Sequence, residues 1–401
     1  MSHQPLKSFR VLDLSNVLAG PFCAYQLALM GAEVIKVESP EGGDLARRLG
    51  ADPEAASRLM GISFLAVNAG KQSITLNLKH AEGKAILKKM VADADVLVEN
   101  FRPGVMKRLG LDYTVLKEIN PGLIYCAISG FGQNGPWSDR PAYDQIVQGL
   151  SGLMSVTGDA ETAPLRAGFP VCDTIGGMAA AFAIAAALAG KARTGEGCMI
   201  DVSMLESTLA SMGWVVSNYL ATGKPPVPMG NENMTAAPSG TFMTGDGLLN
   251  IAANEQKQFE SLCDTIGKPG LKRDARFAAR EARKQHRLPL KLEIEAGLGA
   301  RSATEWEALL NAAGVPAGQV LSVPQILAHE QVRGREFVIE IEPVPGLGKA
   351  AHVSRGGFMV NGAAVRPAAP PPALGAQTET WLRKLGYDDA HIARLRIEKA
   401  I

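Results

Sequence analysis

The chain has 401 residues, enough for two or three domains, and its 46% hydrophobic and 20% charged residues are ordinary for a soluble globular protein. A formal net charge of +1 argues against nucleic acid or an anionic membrane as the main partner. Neither the five cysteines (Cys23, Cys126, Cys172, Cys198, Cys263) nor the six scattered histidines fall at disulfide-framework or metal-ligand spacing, so a reducing cytoplasm and no metal are expected.

In chain order, Arg10-Val-Leu-Asp-Leu-Ser reads as a short strand. It runs through Val17-Leu-Ala-Gly-Pro-Phe into a helix ending near Met30. Gly31 stops that helix, and Ala32-Glu-Val-Ile-Lys-Val-Glu38 is a second strand, so the chain opens with a βαβ unit and predicts a parallel sheet. Ser73–Leu78 alternates like a strand, and a helix from Ala81 to about Ala92 leads to a strand over Ala94–Asn100. A third unit passes through Leu116–Pro121 to Leu123–Gly130. Residues 1–222 are therefore assigned to a doubly wound α/β domain.

The proline-rich stretch 223–229 reads as a stiff linker. Residues 230–328, with amphipathic helices such as Ala300–Ala313, read as a smaller α+β domain. In 329–401, strands near Phe337–Glu342 and Gly357–Val360 precede a proline run and a closing helix over Thr378–Leu385.

Gly130-Phe-Gly-Gln-Asn-Gly matches G-x-G-x-x-G after a strand, but Pro136-Trp-Ser-Asp-Arg-Pro follows it, which is turn chemistry rather than a helix start. Nucleotide hydride chemistry is not expected from it. No P-loop or G-x-S-x-G elbow occurs.

Asp173 stands directly before the Ala/Gly-rich run Thr174–Gly190. That run is short for a membrane span and reads as a core helix with small, closely approachable faces. At a helix start the macrodipole favours an ionised carboxylate. From the residues alone Asp173 is either an N-cap or a nucleophile able to carry an acyl group as an anhydride.

Several segments together resemble the class III CoA-transferases, the carnitine and formyl-CoA transferase family. They are Val11-Leu-Asp-Leu-Ser, Leu18-Ala-Gly-Pro-Phe, Leu29-Met-Gly-Ala-Glu-Val-Ile-Lys-Val-Glu, Gly42-Gly-Asp, Asn68-Ala-Gly-Lys-Gln-Ser and Asp95-Val-Leu-Val-Glu-Asn-Phe-Arg-Pro-Gly, followed by Ser129-Gly-Phe-Gly-Gln-Asn-Gly-Pro, Tyr143-Asp, Asp173 and Ala313-Gly-Val-Pro-Ala-Gly. They recur in family order along nearly the whole chain.

The resemblance implies a Rossmann-like large domain, made of the N-terminal half and the C-terminal tail, with an inserted small domain in an interlocked homodimer. It implies Asp173 as nucleophile, passing through anhydride and aspartyl-CoA thioester intermediates. CoA binding is expected from the N-terminal half. Arg102, Arg108 and Lys71 are the candidates for its phosphates, with Asn100 and Phe101 in the same turn as Arg102. Asn16, Val17 and Leu18 form the first active-site loop, and Tyr143 and Asp144 line the pantetheine channel.

The expected partners are an acyl-CoA and a small carboxylic acid, with no cofactor beyond the CoA thioesters. The Asn231-Glu-Asn-Met-Thr loop resembles branches using succinyl-CoA and small dicarboxylates such as itaconate, citramalate, malate, mesaconate or glutarate. Formyl-CoA:oxalate transfer is an alternative, although that branch carries glutamine where Leu18 stands. α-Methylacyl-CoA racemases share the fold and place histidine where this chain has Tyr143, a poor base at neutral pH. A non-catalytic CoA-binding module is the remaining alternative.

Overall fold

The computed structural model describes residues 4–341 and 343–401. The chain divides into two compact units. The first takes the chain up to Leu153, then Ala167–Gly223 and Glu330–Ile401; the second takes Met154–Arg166 and Lys224–His329. The second unit thus also draws in a short segment ahead of Asp173, which the sequence pattern places inside 1–222.

Six parallel strands form the sheet of the first unit: β1 (Arg10–Asp13), β2 (Glu33–Glu38), β3 (Lys71–Thr75), β4 (Val96–Glu99), β5 (Ile124–Ser129) and β6 (Cys198–Ser203). Their order is β3-β2-β1-β4-β5-β6. Side chains alternate between two apolar layers. Leu12, Ile35 and Leu97 enter one core cluster, whereas Val11, Val34 and Val96 enter the other. Strands buried on both faces read as continuous apolar runs, which is why most are visible in the sequence. β6 does not read as a strand, because at the sheet edge it mixes apolar and polar residues without a clean period and leaves its first four residues exposed or half-buried.

The order reverses between β1 and β4. In sheets of this kind the crevice outside the carboxyl ends of those two strands is where ligands bind. The loops leaving β1 and β4, 14–18 and 100–104, therefore face each other at that end.

The long helix Val171–Thr194 packs on the first helix, Ala19–Leu29. It is not wholly buried: Ala180, Ile184 and Leu188 face the core, whereas Phe182 is 76% exposed. The close approach depends on Gly177, where an added Cβ would lie 2.5 Å from the Ala19 carbonyl oxygen. Gly177→Ala should therefore cost about 1–3 kcal/mol by overpacking. Gly190→Ala, with nothing within 4 Å of the added carbon, should be neutral or stabilising by up to about 1 kcal/mol. Thermal melts of the two variants check the contrast.

The C-terminal segment returns to the β3 edge. Gln377 Oε1 accepts the Ser73 N–H at 2.7 Å, the Gln377 N–H donates to Ser73 O at 2.9 Å, and Thr378 Oγ1 accepts the Thr75 N–H at 2.9 Å. Val338–Ile341 pairs antiparallel with Ala351–Ser354, and Ile339 packs with Tyr25, Leu29, Val67 and Ala69. Glu342, where the sequence pattern ends that strand, lies outside the described residues.

The second unit holds an antiparallel sheet, β7 (Ser239–Met243), β8 (Leu248–Ala252) and β9 (Ala317–Gln319). Amphipathic helices Gln256–Thr265, Arg287–Leu298 and Ala303–Ala312 cover it through Phe259, Ile294 and Trp306.

Candidate active site

The β1 and β4 loops enclose a cavity of about 270 Å³. Asn16, Val17, Leu18, Asn100, Phe101, Arg102, Tyr143 and Asp173 all line it, so eight of the sequence-derived candidates converge there. Ala19, Ile128, Ser129, Gly130, Ala142 and Met204 complete the wall. These are not among the sequence-derived candidates, although Ser129-Gly130 ends β5 and therefore has to open toward the same crevice.

Asn100 acts on the loop opposite. Its Oδ1 accepts the Asn16 N–H and its Nδ2 donates to Asn16 O, both at 2.8 Å. Phe101 is fixed from beneath, where its N–H donates at 2.8 Å to Glu99. Glu99 is 4% exposed. Burial pushes its carboxyl up to about 7. Sequence reasoning missed Glu99, since nothing local separates a buried strand acid from an exposed one.

Asp173 occupies the third position of its helix, whose N-cap is Pro170, and so is not the cap. Asp144 fills that role from the neighbouring helix. Its Oδ1 accepts the Cys172 N–H at 2.8 Å and the Asp173 N–H at 3.3 Å. Its Oδ2 accepts from Gln148 Nε2 at 2.6 Å. The fully buried Gln148 also donates to Phe169 O at 3.2 Å and accepts the Ala167 N–H at 2.8 Å, tying down the segment that leads to Asp173. Asp144 is itself buried and its carboxylate is committed to the helix start, so the expectation that it lines a pantetheine channel is replaced by this capping role. Tyr143, next to it, is 67% exposed and does line the cavity.

The electrostatics of Asp173 also differ from the helix-dipole expectation. Burial and then the nearby Asp144 charge push its carboxyl up to about 7. The dipole stabilises the anion by a few tenths to one kcal/mol, and desolvation outweighs it here. A carboxylate held this way is scarce below neutrality but, once ionised, poorly solvated and basic, as suits a nucleophile.

Turnover that depends on ionised Asp173 should rise with pH through about 7. Stability follows the opposite sign. The folded group binds its proton more tightly than the unfolded one, so its contribution is complete below 3.8 and is lost as pH rises through about 7. Asp173→Asn should therefore melt above the wild type at pH 8, by the equivalent of roughly 1–3 kcal/mol after allowance for partial exposure, and match it near pH 4. Paired melting curves check this, and they separate Asp173 from Glu99 as the titrating group.

Lys71 is buried and turned toward protein partners. Its Nζ is buried and donates to Asp13 Oδ2 at 2.8 Å and Pro21 O at 2.9 Å. This corrects the phosphate role expected for it. Arg102 and Arg108 are exposed, and the Arg108 guanidinium lies beside Gly104 in the turn after Arg102. Arg108 does not line the first cavity.

A second cavity of about 250 Å³ adjoins the first and shares Asn16 and Phe101 with it. Leu14, Val37, Leu76 and Leu78 give it apolar walls, and Ser39 and Lys79 sit among them. Both cavities lie at the strand-order reversal.

Against known proteins, residues 6–378 match the family model of CoA-transferase family III. The chain is 36% identical over 389 residues to a succinate–glutarate CoA-transferase of Agrobacterium fabrum, covering 95% of this chain and 96% of that one. It is 42% identical over 337 residues to an acetyl-CoA:oxalate CoA-transferase of Acetobacter aceti, covering 84% and 86%. A crystal structure of a CAIB/BAIF family protein from Brucella suis superposes with TM-score 0.83 at 34% identity, covering 96% of this chain and all of that one. With a parallel sheet whose switch point opens onto an acidic helix start, and with family identity along its length, the chain belongs to CoA-transferase family III and is an enzyme that transfers CoA.

Proposed function

We propose that the enzyme moves CoA from an acyl-CoA donor, succinyl-CoA first among them, to a small dicarboxylic acid, with Asp173 as the covalent nucleophile. The observation that carries this is a largely desolvated carboxylate opening into a cavity at the switch point of the sheet. A relative acting between succinate and glutarate along almost the full length supports the substrate class.

In this mechanism an Asp173 oxygen attacks the thioester carbonyl, the C–S bond breaks, and CoA leaves as thiolate from a mixed anhydride. The thiolate attacks the aspartyl carbonyl and releases the donor acid, leaving aspartyl-CoA thioester. The acceptor carboxylate then attacks that carbonyl and expels CoA thiolate, which attacks the new acyl group and frees Asp173. No proton, electron or further group is consumed, so the cycle closes without a cofactor beyond the CoA thioesters. Anhydride formation is uphill, and binding of the remote nucleotide must offset it. The apolar second cavity next to Phe101 suits an adenine ring, with Lys79 and Arg108 near enough in the chain to serve its phosphates.

The homodimer is part of the proposal. The helix Gly213–Thr222 buries none of its residues, and Trp214 (83%) and Leu220 (76%) stand exposed on it. An apolar face of that kind marks an association surface. The cytoplasm, where CoA thioesters are made and used, is the proposed compartment.

Mass spectrometry of CoA thioesters formed from succinyl-CoA and a panel of dicarboxylates tests the reading. One dominant new thioester is the expected result. The acetyl-CoA:oxalate relative at 42% identity favours a second reading, in which acetyl-CoA and oxalate are the pair, and both belong in the panel. No transfer from any donor would overturn the proposal, and deuterium uptake by a branched acyl-CoA would then point to racemase chemistry.

A further inference from the structure

The Gly42-Gly43-Asp44 turn takes no part in the reaction written above, yet its contacts converge on one residue of the cavity wall. Val17 has φ +67°, a left-handed conformation that is strained for a β-branched side chain. Its N–H donates to Asp44 Oδ1 at 2.9 Å. Asp44 is fully buried, with hydrogen bonds to its Oδ1 and from its N–H and an ion pair at its Oδ2. The Ala46 N–H donates to Oδ1 at 2.9 Å, the Asp44 N–H donates to Glu38 at 3.0 Å, and Lys36 Nζ stands 2.9 Å from Oδ2. Lys36 is in turn anchored on Ser15 O at 2.7 Å. Gly42 (φ +90°) and Gly43 (φ +68°) make the turn, and a Cβ on Gly43 would meet Glu38 at 2.7 Å. The carboxylate cannot follow Val17, so Val17 must conform to the carboxylate.

We infer that Asp44 is a positioning residue for CoA transfer, holding Val17 through its N–H in the strained conformation that shapes the cavity beside Asp173. The inference rests on the transferase reading above. Val17 precedes Leu18 and Ala19, which open the first helix and line the same cavity, so releasing Val17 displaces that wall.

A double-mutant cycle of Asp44→Ala and Val17→Gly separates this role from simple loss of a buried ion pair. Glycine takes positive φ without strain, so a loop carrying the Val17→Gly substitution depends less on its hook. Asp44→Ala should lower kcat/KM for the acceptor acid at least about tenfold with Val17 present, but less than about threefold beside Val17→Gly. CoA affinity, measured by direct binding, should change less than about threefold between Asp44→Ala and the wild type.

Stability should couple with the opposite sign. Removing Asp44 relieves strain only where valine is strained, so Asp44→Ala should lower Tm more in the Val17→Gly background. Equal losses in both backgrounds would make Asp44 merely structural and overturn the inference. Should Asp44→Ala fail to fold, Asp44→Asn repeats the cycle with smaller effects of the same signs. If the wild type transfers CoA to no acid, the transferase reading falls, and the melting half alone decides whether Asp44 strains Val17.

Discussion

Asp173→Ala will lower CoA transfer at least about 10³-fold while leaving acyl-CoA affinity within a few-fold of the wild type. The asymmetry follows from where the groups lie. Asp173 reaches the cavity from one helix start, whereas Asn16, Phe101 and the apolar second cavity belong to the β1, β2, β3 and β4 ends of the sheet. The Asp173 backbone N–H, not its side chain, takes part in the capping by Asp144, so truncation leaves the helix start intact. Incubating wild type with acyl-CoA and no acceptor should yield a CoA adduct on the peptide bearing Asp173, absent from the variant. Ordinary turnover by the variant would exclude the aspartyl mechanism.

Lys71→Ala will destabilise the fold by about 3–5 kcal/mol, a large share of the stability of most domains. Lys71 belongs to a buried set of charges beneath the β1 loop. Asp13 pairs with Lys71 at 2.8 Å and lies 3.8 Å from Lys36, Lys36 with Asp44 at 2.9 Å, and Glu38 with Arg47 at 2.6 Å. Burial alone would raise the Asp13 carboxyl, but Lys36 and Lys71 bring it down to about 2. Removing Lys71 leaves Asp13 buried with only the more distant Lys36, at 3.8 Å, as a cation partner. Denaturant melts should therefore show the loss, and Asp13→Asn combined with Lys71→Met should cost less than the two singles summed. A Lys71 variant that kept full stability but lost CoA affinity would instead restore the phosphate role.

The contrast between Asp173 and Lys71 shows how far the residues speak for themselves. Asp173 is legible because an acid before a long Ala/Gly run marks a helix start, and helix starts are local. Lys71 misleads because its partner lies 58 residues earlier in the chain. A lysine that ends in a buried ion pair looks in sequence like one that ends in solvent. The charge state of Asp173 is hidden for the same reason, since its burial comes from the fold and the opposing Asp144 comes from another helix. The presence and succession along the chain of β1 to β5 follow from apolar runs separated by helices, whereas their order in the sheet does not. The edge strand β6, and the loan of Met154–Arg166 to the second unit, carry no comparable periodic signal.

The covering of β3 by Gln377 and Thr378 has a consequence for how the chain is made. The amides of Ser73 and Thr75 wait for acceptors 304 and 303 residues downstream. Throughout most of translation this edge has no partner from its own chain, and an open strand edge is a template for pairing with another. The burden of keeping nascent copies apart therefore falls on whatever attends the polypeptide as it leaves the ribosome. A chain cut short between residues 203 and 377 would hold all six strands of the sheet but leave the β3 edge uncovered.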